Sequence, residues 1–233
     1  MILLISSITP VIIFLYLIYI KDQIKEPNAL LAKCFFGGFL SIILTLIIAL
    51  PISYFGSVFQ TPLVKSFYDA FFCAAIPEEL SKFIILYWVV WKSKDFDHHY
   101  DGIVYAVFVS LGFALVENIL YVFEHGFTTA ILRAVLAVPG HGFFGVIMGY
   151  YLSLSKFNVG EVKRNLILKS IFIPILFHGL YDFLLIYFSS NNENNFLLST
   201  VLLIAFTFLV IKLWSVGISK IKLHTMEYVV KEI

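Results

Sequence analysis

Charge is scarce in this chain of 233 residues. Only 13% are Asp, Glu, Lys or Arg, while 61% are hydrophobic, against about 25% charged in an ordinary soluble domain. That balance excludes a soluble globular protein and predicts one embedded in a membrane. A surplus of either sign is also missing: 16 Lys+Arg meet 15 Asp+Glu, a formal charge of +1. No broad basic face is available, so nucleic acid is not expected as a partner. Cysteine is nearly absent. Cys34 and Cys73 lie in apolar stretches without Cys-x-x-Cys or Cys/His ligand spacing, which excludes a disulfide framework and a zinc knuckle. No His-Glu-x-x-His helix occurs. The first 20 residues have neither a basic n-region nor a small-x-small cleavage site, so they are expected to be a retained helix.

What the chain has is apolar runs long enough to cross a hydrocarbon core, which takes about 20 helical residues. Seven are predicted, at 2–20, 31–55, 67–91, 102–123, 131–154, 167–188 and 196–217, with short polar connections. The fold class expected is therefore all-α, a polytopic membrane helix bundle. Residues 1–233 form one membrane domain, with spans three to six (67–188) as a four-helix catalytic core and 218–233 as a short cytoplasmic tail. Thirteen basic residues fall on the side of the first, third and fifth connections and the tail, and two, Lys65 and Arg133, on the other. The positive-inside rule then puts the N-terminus outside and the C-terminus in the cytoplasm. Trp88, Trp91 and Trp214 fall at cytoplasmic span ends, where indole rings favour the headgroup layer. A multi-pass protein of the cell membrane follows, with the lipid bilayer as a partner.

Spans three to six carry Glu78, Glu79, Lys82, Glu117, Asn118, His141, His178 and Asp182, whereas the other three are nearly free of ionisable groups. Each charge at a helix centre costs about 2.5–3.5 kcal/mol, so five cost on the order of 12–17 kcal/mol. A shared, protein-lined cavity explains that expense better than chance. At 1.5 Å per residue, Glu78, Glu117, His141, His178 and Asp182 lie roughly 9–16 Å below the outer span ends, in one layer. Four carboxylates against one lysine leave an excess of three negative charges, so the site must hold protons, a metal cation, or both.

The motifs sharpen this picture. In Glu78-Glu79-Leu80-Ser81-Lys82 the two glutamates point in different directions and the lysine lies a turn on, so one glutamate can activate water while the lysine compensates the other. The bland alternative is a buried ion pair used for packing. Glu117-Asn118 follows Phe113 and could be an interhelical hydrogen-bonding pair or a partner for a histidine. His141 sits among Gly140, Gly142, Gly145 and Gly149, a row that admits a close neighbouring helix. His178 and Asp182 share a helix face at i, i+4, an arrangement in which the carboxylate orients the imidazole. The run from Asp95 to Asp101 looks like a metal cluster but reads as a solvated cytoplasmic loop, with Asp101-Gly102 capping span four.

Together these residues resemble a known family, the PrsW-type intramembrane proteases. These are related to the CAAX-endopeptidase/bacteriocin-processing membrane proteases and more distantly to the scaffold subunit of gamma-secretase. Glu-Glu-x-x-Lys matches Glu78, Glu79 and Lys82, and Phe-x-x-x-Glu-Asn matches Phe113, Glu117 and Asn118. The single-histidine helix matches His141, and His-x-x-x-Asp matches His178 and Asp182. The resemblance implies hydrolysis of a peptide bond in a membrane-anchored, single-pass substrate such as an anti-sigma factor. On this reading Glu78, Glu79, His141 and His178 are catalytic, with Glu78 the first choice of base. Lys82, Glu117, Asn118 and Asp182 support them. A zinc, if bound, is expected on His141, His178 and Glu117 with water in the fourth position. Without metal the same groups serve general-base attack. A non-proteolytic scaffold and a proton- or ion-coupled transporter are the competing classes; no internal repeat of the kind transporters show is visible.

Overall fold

The computed structural model describes residues 1–191 and 196–231, and all regular structure among them is helical. The helices are α1 (Ile2–Lys21), α2 (Asn28–Tyr54), α3 (Pro62–Tyr68), α4 (Ile76–Val90), α5 (His99–His125), α6 (Phe127–Val135), α7 (Ala137–Lys156), α8 (Gly160–Asn191) and α9 (Phe196–Lys231). Among the described residues, six stretches are long and apolar enough to cross a membrane: Ile2–Lys21, Asn28–Val58, His99–His125, Phe127–Lys156, Gly160–Asn191 and Phe196–His224. The seventh expected rod, span three, is continuous helical backbone from Pro62 to Val90 interrupted by a π segment, Asp69–Ala75, between α3 and α4.

Proline explains that interruption. Pro77 has no N–H to return to the turn before it, and its ring crowds the carbonyl four residues back. The chain responds by widening: the Ile76 N–H bonds to the Phe71 carbonyl, five residues back. Such bulges recur at functional sites, and this one ends at Ala75, three residues before Glu78.

The central rod is α5, nearly all of whose first sixteen residues are buried. It packs on α2 and α7 at backbone distance and reaches α1 through the Tyr100 hydroxyl and the Asn118 amide. A methyl group on Gly149 of α7 would stand 2.1 Å from the Gly102 carbonyl oxygen of α5, and one on Gly112 of α5 would stand 2.0 Å from the Phe35 carbonyl oxygen of α2. These absent side chains let the polar faces of neighbouring helices meet. Outward, Leu46, Ile47, Leu50, Ile204, Phe208 and Ile211 are exposed on α2 and α9, as expected of lipid-facing surface. At one end of the bundle the Lys156 ammonium donates to the Trp91 carbonyl (2.6 Å) and Lys163 lies over the Trp91 ring (4.8 Å). The third and fifth connections therefore share a side, as the charge count requires.

Several boundaries differ from the sequence reading. Span five is two helices, α6 and α7, separated at Leu136, and the fourth connection shrinks to Gly126, whose φ of +84° is the left-handed region glycine tolerates. The segment from 218 to 231, expected as the cytoplasmic tail, is helical and continues α9. Of the connection expected at 189–195, residues 189–191 finish α8 and 192–195 lie outside the described residues, as do 232–233. The N-cap of α5 is His98, with Asp101 at the third helical position: its carboxylate accepts the His98 and Asp97 backbone N–H groups at 2.6 and 3.0 Å. The first connection is not solvated either. Asp22 and Glu26 are both buried, and the Tyr105 hydroxyl bonds to the Glu26 carboxyl. Burial, reinforced by the neighbouring Asp101 carboxyl, pushes Glu26 up to about 9 and Asp22 up to about 6.

Candidate active site

Four rods bring the motif residues together. α4 supplies Glu78, Glu79 and Lys82, α5 Glu117, α7 His141, and α8 His178 and Asp182. The Lys82 side chain is 1% exposed, and its ammonium lies 2.8 Å from Glu79 Oε1, 3.1 Å from Glu78 Oε2 and 3.2 Å from His141 Nδ1. The Phe113 ring closes the remaining side at 4.0 Å from Nζ, a cation–π contact. Reaching i−4 and i−3 at once, this ammonium joins two glutamates that leave the helix in different directions.

Those directions give the glutamates different surroundings. The Glu79 side chain is wholly enclosed and is held by Lys82 and by His178 Nδ1 at 2.9 Å. Glu78 is 12% exposed and lines a cavity of about 380 Å³, together with Glu117, Arg133, His141, His178 and Asp182. His178 Nε2 is 3.2 Å from Asp182 Oδ2 and 4.0 Å from Glu78 Oε2. The second gap is too long for a direct hydrogen bond and short enough for one water to bridge.

Hydrogen-bond logic fixes the other ring. An ammonium only donates, so His141 Nδ1 accepts from Lys82 and the ring proton sits on Nε2, 2.8 Å from Glu117 Oε2. Asn118 turns away from the cavity: its amide nitrogen donates to the Ser7 carbonyl at 2.7 Å and its oxygen accepts from Arg133 Nε at 2.8 Å. Arg133 itself is absent from the sequence-derived set. It was placed with the outer-side charges, yet its Nη2 lies 2.9 Å from Glu117 Oε2 and its side chain is 13% exposed. The signal that points to it is the unbalanced acid count: a second cation lowers the excess from three to two.

The group close enough to share an ion is also not the expected one. Among the described residues, donor atoms of Glu78, Glu79 and His178 all lie within 4.8 Å of one another, as do those of Asp97, His98 and Asp101 in the third connection, away from the cavity, whereas both nitrogens of His141 are taken by Lys82 and Glu117. Three protein donors and an open fourth position suit a catalytic zinc, and Glu79 Oε2 is buried without a hydrogen-bond partner. A dication also matches the residual excess of two negative charges. The donor set therefore fits a metal, provided His178 gives up its bond to Glu79 or Asp182. A larger groove of about 740 Å³, between α1, α6, α7 and α9, is lined by apolar side chains with the hydroxyls of Ser6 and Thr9 and holds none of these groups.

Fold and site together define a multi-pass membrane protein with an acid–imidazole centre of hydrolytic type between its helices. A profile of the PrsW family of intramembrane metalloproteases matches residues 26–212. Protease PrsW of Oceanobacillus iheyensis is 43% identical over 185 residues, 79% of this chain and 83% of that protein. Protease PrsW of Bacillus subtilis is 39% identical, over 77% and 81%, and that of Halalkalibacterium halodurans 35% identical, over 95% and 96%. No solved structure matches. This chain belongs to the PrsW family, and it is an intramembrane peptidase carried by a multi-pass membrane protein.

Proposed function

We propose that the chain hydrolyses a peptide bond in a single-pass membrane protein, an anti-sigma factor being the expected kind, with Glu78 as the base. The observation that carries this reading is the division of labour between adjacent glutamates: Glu78 faces the cavity while Glu79 is locked to Lys82 and His178. Water held between Glu78 and His178 Nε2 loses a proton to Glu78 as its oxygen attacks the scissile carbonyl. His178, steadied through Nδ1 by Glu79, turns its Nε2 proton from Asp182 to the oxyanion that forms. Glu78 then returns its proton to the departing amine as the C–N bond breaks. Lys82 holds the negative charge of both glutamates and accepts no role in proton transfer. His141, fixed between Lys82 and Glu117, keeps that ammonium in place. A metal bound by Glu78, Glu79 and His178 would supply Lewis acidity and a more acidic water.

The test is reconstitution in lipid vesicles with a panel of single-pass reporters, each carrying a fluorophore and quencher on either side of the outer half of its transmembrane segment. Wild type cleaves at least one; Glu78→Ala, Glu79→Ala and His178→Ala do not. Cleavage by Glu78→Ala at the wild-type rate would falsify the assignment of the base. A chelator applied to active vesicles separates the two sources of acidity: loss of activity, restored by zinc, selects the metal.

A further inference from the structure

Helix α6 is a nine-residue strap between two breaks, the left-handed Gly126 and the turn at Leu136. Much of it is exposed: Phe127 and Ile131 line the larger groove, Leu132 lines the mouth of the catalytic cavity, and Val135 is exposed. Its one charged residue, Arg133, turns towards α5. The guanidinium grips a single turn of α5 at three points: Nη2 to Glu117 Oε2 at 2.9 Å, Nε to Asn118 Oδ1 at 2.8 Å, and its carbon 4.4 Å from the Tyr121 ring centre. The Glu117 oxygen it holds is the one that faces His141 Nε2 at 2.8 Å. A continuous polar chain thus runs from Arg133 through Glu117, His141 and Lys82 to Glu78 and Glu79.

We infer that Arg133 is a positioning residue of the protease: its planar fork fixes the rotation of Glu117, and through it the ring of His141 and the ammonium that organises both glutamates. Arg133 lies at 2.9 Å from Glu117 but is not placed at the reacting atoms, so it acts through Glu117. A carboxylate gripped from one side only is free to swing about its last bond. With Oε2 held at once by a guanidinium and an imidazole from two directions, it is not. Lysine cannot substitute, because a single ammonium does not hold Glu117 and Asn118 together in one plane.

This inference rests on the proposed reading of the site, and the vesicle assay with the cleaved reporter tests both separately. Arg133→Ala is expected to lower kcat by about 10- to 100-fold, the range for loss of a group that orients a catalytic one, with KM changed less than about twofold. Guanidinium chloride at low millimolar concentration restores part of that loss. Urea, of similar shape and no charge, does not. Combined with Glu117→Gln, the substitution adds little further loss, since both act on one contact. Should Arg133→Ala fail to insert stably, Arg133→Lys carries the same kcat and KM test. The inference is overturned if Arg133→Ala or Arg133→Lys keeps the wild-type kcat. It is equally overturned if guanidinium restores nothing and the loss adds in full to that of Glu117→Gln. Active Glu78→Gln and Glu79→Gln would instead overturn the underlying reading of the site.

Discussion

Gly179, next to His178 on α8, is where the π segment and the imidazole are brought to contact distance. A methyl group there would fall 2.3, 2.4 and 2.7 Å from Cε1, Cδ1 and Cζ of Phe71. Carbon atoms settle at about 3.5–4.0 Å, so Gly179→Ala forces the two segments apart by about 1 Å unless the ring moves. The ring is hemmed in: Phe67 lies 4.7 Å away, centre to centre, and itself packs on Phe183 at 6.1 Å. The displacement would stretch the 2.9 Å bond between Glu79 and His178 to about 4 Å, past hydrogen-bonding range. Overpacking of this kind costs about 1–3 kcal/mol in stability. A displacement of about 1 Å in a catalytic group costs about 100-fold in rate. The expected result is therefore a folded protein that cleaves the reporter about 100-fold more slowly, with only a modest drop in unfolding temperature. Phe71→Ala in the same chain makes room for the methyl and should recover most of the rate. A single variant that cleaves like wild type, or a double variant no better than the single, refutes the reasoning.

Other perturbations separate fold from chemistry. Lys82→Met leaves two buried carboxylates without their ammonium and should destabilise the protein by about 3–5 kcal/mol; Glu79→Gln added to it should return part of that stability, as read by thermal unfolding. Gly149→Ala meets backbone, the Gly102 carbonyl, and not a movable side chain, so folding yield and cleavage should fall together, and a well-folded inactive protein would contradict that. For Glu26 the folded value of about 9 exceeds the ordinary 4.5, so the folded chain keeps a proton that the unfolded chain releases. Its contribution to stability is complete below about pH 4.5 and is lost as pH rises through about 9. Glu26→Gln should match wild type in unfolding temperature near pH 5 and exceed it increasingly towards pH 9; a gap that does not change with pH contradicts this account.

Much of the fold was legible because the physics of a bilayer is coarse: an apolar run of about 20 residues is a span almost wherever it occurs. The breaks were less so. Pro77 announces a disturbance, but whether the helix ends, kinks or widens depends on its packing against α8 and α2. The separation of α6 from α7 at Leu136 is marked only indirectly, by Pro139, whose ring crowds the Val135 carbonyl four residues back where α6 ends. Within the site, the i, i+3 and i, i+4 spacings told which side chains share a face, and Lys82, Glu78, Glu79, His178 and Asp182 do meet. What spacing does not reveal is which partner each nitrogen takes. Glu117 therefore pairs with His141 and Arg133, contacts across three helices that no local pattern encodes. Glu26 shows the same limit: a short polar connection looks solvated until its tertiary neighbours bury it.

The central claim is a wet cavity between the helices that presents Glu78 and hides Glu79. Thiol accessibility tests it most directly. With Cys34 and Cys73 replaced by serine, Glu78→Cys and Glu79→Cys are placed singly in sealed vesicles and exposed to a charged, membrane-impermeant thiol reagent from the outer side. Rapid labelling of Glu78→Cys, with Glu79→Cys reacting only after denaturation, is the outcome the account predicts. An inert Glu78→Cys, or equal labelling at both positions, would contradict it.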